Sequence, residues 1–322
     1  MKNNYAYLFP GQGAQYQGMA LDLLESGSAA VKKLFEQASQ VFGRDAQSML
    51  KDSDADTLKR TDVSQPAITL ANLAAAAYLA DQDYSPAACA GFSLGEYAAL
   101  VCAGVISAED CFRLIKARGD AMQKTADRLR EESGGDFSAA PGMAAVIGLA
   151  PEQVEELIAG WTAQGLKDLY AANINSPKQL VVSGTAAALT EAETRFKDAG
   201  AKRIIRLQVA GPFHSPLMED AALAFAPVLE SVVFNNPAVP LYSNVTGGKI
   251  TSGEEAKKLA LRQITSPVRW VEEEAAVAAA GIKGCLEAGP GKVLQGLWKD
   301  SGSQIPCYPA GTVEDAGKIG NI

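Results

Sequence analysis

Gly91-Phe92-Ser93-Leu94-Gly95 decides how the rest of the chain is read. The pentapeptide follows a short apolar run, Pro86-Ala87-Ala88-Cys89-Ala90, and opens an Ala-rich helical pattern from Glu96 to Ala103. Strand, sharp turn and helix are the setting that a nucleophile elbow requires. A serine at the apex is held in a strained backbone conformation, and only small neighbours avoid collision there. Gly91 and Gly95 supply them. The hydroxyl then stands above the sheet beside N–H groups at the helix start, which can hold a developing oxyanion. Ser93 is therefore the candidate nucleophile.

Serine needs a base, and the 322-residue chain contains one histidine. It is His214, in Ala210-Gly211-Pro212-Phe213-His214-Ser215-Pro216. Imidazole can take the serine proton near neutral pH and return it to a leaving group. What orients the imidazole stays open at this point. Glu287, at a strand end in Leu286-Glu287-Ala288-Gly289-Pro290-Gly291, is one candidate and a backbone carbonyl is another. A solvated or helix-capping carboxylate is the favoured reading of Glu287.

Composition narrows the class. With 48% hydrophobic and 20% charged residues, the chain reads as a soluble enzyme with a large core and room for a smaller domain. Its 29 basic and 37 acidic residues give a net charge of −8, which argues against nucleic acid as a partner. Five cysteines (Cys89, Cys102, Cys111, Cys285, Cys307) form no C-x-x-C pair and lie in apolar segments, as reduced, buried thiols do. The start, Met1-Lys2-Asn3-Asn4, enters a strand pattern without a signal-peptide core. The longest apolar stretch, Ala67 to Ala80, contains Asn72 and is too short to span a bilayer. A cytoplasmic enzyme with no membrane partner is expected.

Working outward, Tyr5 to Phe9 reads as a first strand stopped by Pro10-Gly11-Gln12-Gly13. Helices are expected over Leu21 to Glu25 and Ala29 to Phe42, and over Val63 to Leu79 with Asp62 as cap and Gln65 at the capping-box position. Ser107 caps a helix from Ala108 to Lys124. Arg128 to Gly142 is charged, then rich in Gly, Ser, Ala and Pro, and reads as a connection. Beyond it come strand Met143 to Gly148, helix Pro151 to Trp161 and strands Leu169 to Ile174 and Leu180 to Ser183. Helix Ala186 to Ala199 and strand Arg203 to Val209 complete a β-α-β-β-α-β order, a ferredoxin-like signature. The chain then resumes alternation: Leu217 to Leu229, Val239 to Tyr242, Glu254 to Ile264, Val268 to Ala280, Ile282 to Glu287. The tail from Thr312 shows little pattern and reads as loosely ordered. The expected fold is α/β: an α/β-hydrolase-like core with a mainly parallel sheet, formed by residues 1–140 and 211–322. It is interrupted by a ferredoxin-like inserted subdomain, residues 141–210.

These residues resemble a known family, the malonyl-CoA:acyl carrier protein transacylases and the related acyltransferase domains of polyketide synthases. The resemblance covers nearly the whole chain through separate motifs in order. Phe9-Pro10-Gly11-Gln12-Gly13-Ala14-Gln15 is similar to the family's N-terminal loop, Gly91 to Leu100 to its nucleophile motif, and Arg118 follows at the family's spacing. Asn173-Ile174-Asn175-Ser176-Pro177, Gln179 to Gly184, Phe213 to Pro216, Tyr242 to Gly247, Gln263 with Pro267-Val268-Arg269-Trp270, and Glu287 to Gly291 complete the set.

The resemblance implies Ser93 as nucleophile and His214 as base, oriented by the main-chain carbonyl of Gln263, so that the site is a dyad. It implies an oxyanion hole from the N–H groups of Leu94 and Gln12. Taken alone, Gln12 reads as a turn residue between glycines, and Arg118 beside Lys116 and Asp120 as a solvated helix arginine. The resemblance instead makes Arg118 the binder of the malonyl carboxylate, for which its forked donors are matched, and Phe213 fits the malonyl-type pattern. It implies malonyl-CoA and an acyl carrier protein as partners, phosphopantetheine carried by that partner, and no cofactor or metal of the enzyme's own; a monomer is the expected assembly, though nothing in the residues fixes it. Lys178, Arg195, Lys197, Lys202, Arg203 and Arg206 are candidates for docking the acidic carrier. One departure stands out: Phe92 occupies the place of the family's usual histidine and is expected to make the pocket edge drier. Rival readings are a polyketide acyltransferase, an esterase or thioesterase, and a non-catalytic carrier-binding module. An esterase of the α/β-hydrolase kind usually places its histidine late, whereas here about a third of the sequence follows His214.

Overall fold

The computed structural model describes residues 2–136 and 138–319; Met1, Phe137 (within the Arg128–Gly142 connection) and the last three residues of the tail lie outside it. Its strands are β1 (Lys2–Phe9), β2 (Tyr84–Gly91), β3 (Gly142–Ile147), β4 (Leu169–Ser176), β5 (Gln179–Gly184), β6 (Arg203–Arg206), β7 (Leu241–Tyr242), β8 (Lys249–Ile250), β9 (Gly284–Glu287) and β10 (Cys307–Pro309). Six of them form one sheet in the order β10-β9-β1-β2-β7-β8. All its pairings are parallel except β7 with β8. The fold is thus mixed α/β with a mainly parallel sheet.

Parallel strands covered by helices on both faces must be apolar throughout. Residues 5–9 of β1 obey: Ala6 and Leu8 pack into one cluster with Ala88, Ala90, Trp270 and Trp298, while Tyr7 and Phe9 face the other side. On that side lies the Thr61–Asp81 helix, buried nearly all round. The remaining four strands make a separate antiparallel sheet, β4-β5-β3-β6. The Pro151–Ala163 and Ala186–Asp198 helices close its own core, with Trp161 edge-on to Phe196 at 4.7 Å.

Several expectations are corrected. The helix expected from Val63 begins at Thr61, and Asp62 does not cap it. The Thr61 N–H instead donates to Gln123 Oε1 at 2.9 Å, a side chain of the neighbouring Ala108–Glu132 helix. That helix runs eight residues past Lys124, so the connection starts later than its composition suggests. The tail forms a helix, Val313–Ile319, with Ala316 and Ile319 buried. Cys102 and Cys307 are half-buried, while Cys89, Cys111 and Cys285 are fully buried, and all five are free thiols. No helix among the described residues is long and apolar enough to cross a membrane.

Candidate active site

Close backbone crossing, rather than glycine's access to positive φ, explains why glycines flank Ser93. A Cβ on Gly91 would collide with the Gly95 backbone, one on Gly95 with the Phe9 carbonyl, and one on Gly11 with the Phe92 carbonyl. The end of β1, its following loop and the elbow therefore touch main chain to main chain. Phe92 N–H donates to the Phe9 carbonyl at 2.9 Å. Ser93 itself sits at φ 50°, a left-handed conformation that costs a serine on the order of 1 kcal/mol. It is half-buried and opens a short 3-10 turn that leads into the Glu96–Cys102 helix.

Ser93 Oγ lies 2.7 Å from His214 Nε2, and His214 Nδ1 lies 2.8 Å from the Gln263 carbonyl oxygen. A carbonyl only accepts, so Nδ1 carries the proton and Nε2 is left bare to accept the serine O–H. His214 is buried, with φ 56°, and its loop is clamped by Ser183 Oγ, which donates to the Phe213 carbonyl at 2.5 Å. Burial first, and the nearby Arg118 cation second, lower the imidazole pKa to about 4, so the ring is neutral at physiological pH.

Glu287 plays no part here. Its carboxylate accepts from the N–H groups of Leu294 (3.0 Å) and Gln295 (2.7 Å) at the start of the Val293–Asp300 helix. It is helix-capping, as one of its readings had it, but fully buried rather than solvated.

Arg118 is wholly buried, which excludes the solvated reading. Nη1 donates to Gln65 Oε1 at 2.7 Å and Nη2 to Gln263 Oε1 at 3.1 Å, and the guanidinium lies over the Tyr97 ring at 5.5 Å. Nε has no hydrogen-bond partner, and no carboxylate among the described residues forms a salt bridge with this arginine. Burial without an ion pair pulls its pKa below the usual arginine value. Gln65, read from the sequence as a capping residue, is thus a partner of Arg118. No local pattern signals this, because the two are 53 positions apart.

Gln12 lies in the loop that follows β1. Its side chain donates to Thr61 Oγ1 (3.1 Å) and Ser64 Oγ (2.9 Å). The loop carbonyl of Pro10 accepts from Asn72 Nδ2 at 2.9 Å. Leu94 follows Ser93 and is buried. Phe92 packs edge-on against Trp270, with ring centroids 5.4 Å apart, and belongs to the cluster of Ala88 and Ala90. It completes an aromatic pair under the elbow.

Sequence reasoning missed the polar layer behind the serine. Asn244 Nδ2 donates to the Gly91 carbonyl and to Glu273 Oε2, both at 2.7 Å, and the Asn244 N–H donates to Glu96 Oε2 at 2.9 Å. Gln263 Nε2 lies 3.0 Å from both the Ser93 carbonyl and Glu96 Oε2. The available signal was Glu96 itself, a carboxylate in an otherwise apolar helix start.

A serine on a strand–turn–helix elbow, paired with a neutral imidazole beside a buried cation, is equipment for acyl transfer. The acyl transferase domain family matches residues 6–320, and the protein is an acyltransferase. The malonyl CoA-acyl carrier protein transacylase of Bacillus subtilis strain 168 is 36% identical over 294 residues, 91% of this chain and 89% of that one. The crystal structure of an acyl carrier protein S-malonyltransferase from Vibrio cholerae superposes with a TM-score of 0.89 at 36% identity, covering 98% and 99% of the two chains. A malonyl-transacylase in complex with its type II PKS acyl-carrier protein matches at 34% identity and a TM-score of 0.87, covering 99% and 98%. The chain belongs to the malonyl CoA-acyl carrier protein transacylase family.

Proposed function

We propose that this protein moves a malonyl group from malonyl-CoA to the phosphopantetheine thiol of an acyl carrier protein through a malonyl-serine intermediate. His214 takes the Ser93 proton as Oγ attacks the thioester carbon. The oxyanion is held by the N–H groups of Leu94 and Gln12, and the C–S bond breaks with His214 returning the proton to the departing coenzyme A sulfur. Malonyl remains as an ester on Ser93 with its carboxylate on Arg118. The carrier thiol then attacks, gives its proton to His214, and Ser93 leaves with that proton restored. Gln263 orients His214 through its carbonyl throughout. No cofactor or metal of the enzyme's own is invoked.

The observation that carries this reading is Arg118. A fully buried guanidinium with Nε unpartnered and, among the described residues, no salt bridge to a carboxylate is matched by a substrate that brings one. Intact-mass measurement after mixing with malonyl-CoA is expected to show one malonyl adduct on the wild type and none on Ser93→Ala. Absence of both adduct and turnover in the wild type would overturn the reading. Free malonate production in place of transfer would make the protein a thioesterase.

The same reading extends to architecture. The strand order of the antiparallel sheet, second-third-first-fourth in chain order, supports a ferredoxin-like insert over residues 141–210. The elbow on a mainly parallel sheet supports a hydrolase-like core from residues 1–140 and 211–322. A cytoplasmic, monomeric enzyme serving fatty-acid synthesis is the proposed setting; supply of a polyketide synthase is the second, favoured by the carrier complex of the similar malonyl-transacylase.

Carrier docking is proposed at one end of the insert. Lys178 lies in the β4–β5 turn, its carbonyl accepting from Gly148 N–H at 2.8 Å, and Lys202 N–H donates to the Ile147 carbonyl at 2.8 Å, with Arg203 beside it. All three are exposed, and none forms an ion pair among the described residues. Arg195 and Arg206 are committed to Glu191 and Glu193. Reversing charge at Lys202 and Arg203 is expected to slow transfer to the carrier about tenfold, while the rate of Ser93 acylation by malonyl-CoA stays unchanged. Equal losses in both half-reactions would refute the docking surface.

A further inference from the structure

Arg118 and Glu96 are a buried cation and a buried carboxylate, 0% and 1% exposed, that do not touch. One neutral side chain joins them: Gln263 Oε1 accepts from Arg118 Nη2 at 3.1 Å, and Gln263 Nε2 donates to Glu96 Oε2 at 3.0 Å. The amide dipole thus points its oxygen at the cation and its N–H at the anion. Isolated buried charges are costly, so a charge pair relayed through one amide is the arrangement that lets both survive without substrate.

A second buried carboxylate, Glu273, is too poorly served to hold the charge. Its Oε1 has no partner, and burial together with Glu96 holds its pKa well above the carboxylate range. Glu96 has two N–H donors, from Asn244 and Gln263. The groups whose fields reach Glu96 are Arg118 from the Ala108–Glu132 helix, Glu273 from the Trp270–Ala278 helix and Tyr97 beside it. His214 sits on the Gln263 carbonyl. A substrate carboxylate delivered to Arg118 therefore adds a second anion to a site built for one.

We propose that Glu96 is the internal counter-charge of Arg118, and that a substrate carboxylate replaces it in that role while Glu96 takes up one proton from solvent. The inference rests on Arg118 receiving the malonyl carboxylate. Glu96 becomes a neutral acid, Arg118 keeps its charge, and the net charge of the site returns to its starting value. Glu96 positions charge through Gln263 and does not touch the reacting atoms.

Burial lifts the Glu96 pKa to about 7 in the free enzyme. Above that pH the residue is ionised, and binding a carboxylate requires the proton; below it the proton is already present. Affinity for malonyl-CoA is thus expected to weaken up to about tenfold per pH unit above neutrality. His214 contributes nothing in that window, because its ring is neutral there.

The test uses Ser93→Ala, which leaves the thioester intact, titrated calorimetrically with malonyl-CoA at about pH 8 in two buffers of different ionisation enthalpy. Uptake approaching one proton is expected for malonyl-CoA and none for acetyl-CoA. In the Ser93→Ala/Glu96→Gln protein the uptake disappears and the affinity becomes independent of pH, tighter than its parent at high pH. A purely structural Glu96 would instead weaken binding at every pH and leave the slope in place. Persistence of uptake without Glu96, or tight malonyl-CoA binding without uptake when Glu96 is present, overturns the proposal. Malonyl-CoA binding no tighter than acetyl-CoA, with no adduct on the wild type, overturns the carboxylate reading beneath it as well. Infrared difference spectra of the wild type labelled with carboxyl-13C glutamate require no variant at Glu96. A protonated glutamic acid band appears on malonylation if the proposal holds, and its absence counts against it.

Discussion

Replacing His214 by alanine is expected to lower kcat/KM for malonyl transfer about 10³-fold, with both half-reactions affected. The size follows from geometry. Nε2 is bare and lies 2.7 Å from Ser93 Oγ, and its tautomer is fixed from the opposite side by the Gln263 carbonyl. Among the described residues no other side chain hydrogen-bonds Ser93 Oγ, so no second base is placed to take the proton. The wild-type pH profile supplies an independent check. A base must be unprotonated to act, and burial with the Arg118 cation lowers the His214 pKa to about 4. Acylation by malonyl-CoA is therefore expected to lose activity through His214 only as pH falls toward about 4, not through 6.5. In the acid range Glu96 is already protonated, so a malonyl carboxylate on Arg118 would offset an otherwise unbalanced cation and weaken one of the two lowering causes. The acid limb of carrier-dependent deacylation then lies at higher pH than that of acylation. Single-turnover rates of the two half-reactions against pH measure both limbs; an acylation limb near 6.5 would contradict the buried, neutral imidazole.

Periodicity and punctuation carried most of the fold. The elbow was legible because a serine in strained geometry needs small neighbours, and the glycines at 91 and 95 stand where main chains cross. Strands β3, β4 and β5 were legible within two residues at each end because their alternation and turns are local. What escaped was held by distant partners. The Val313–Ile319 helix is seven residues long, too short to be stable alone. Its first N–H is satisfied by Asp22 Oδ2 at 2.7 Å, 291 positions away. β10 is a three-residue edge strand ending in proline. In the site, the pairing of Ser93 with His214 was legible from residue type and count. Burial of Arg118, its contact with Gln65, and the Glu96–Asn244–Gln263 layer depend on tertiary placement that neither spacing nor composition encodes.

Arg118→Met is expected to cut kcat/KM for malonyl-CoA by roughly 10²- to 10³-fold, the scale of breaking a buried charge pair at about 3–5 kcal/mol. The same change is expected to raise activity toward acetyl-CoA, so that the order of preference inverts. In the wild type an acetyl group leaves Arg118 Nε unpartnered, with the guanidinium resting on the amide oxygens of Gln65 and Gln263 and the face of Tyr97. A malonyl group brings a carboxylate that this free donor could take; an acetyl group brings none. Methionine keeps comparable bulk without charge, so the penalty on acetyl vanishes together with the reward for malonyl. Arg118→Lys is expected to fall between the two, because an ammonium keeps the charge but loses the planar fork. Discrimination and general damage then separate cleanly: a mutation that merely loosened the Ala108–Glu132 helix would lower both substrates in parallel. Measured side by side on one preparation, equal losses for malonyl-CoA and acetyl-CoA would show that Arg118 supports the fold rather than choosing the acyl group.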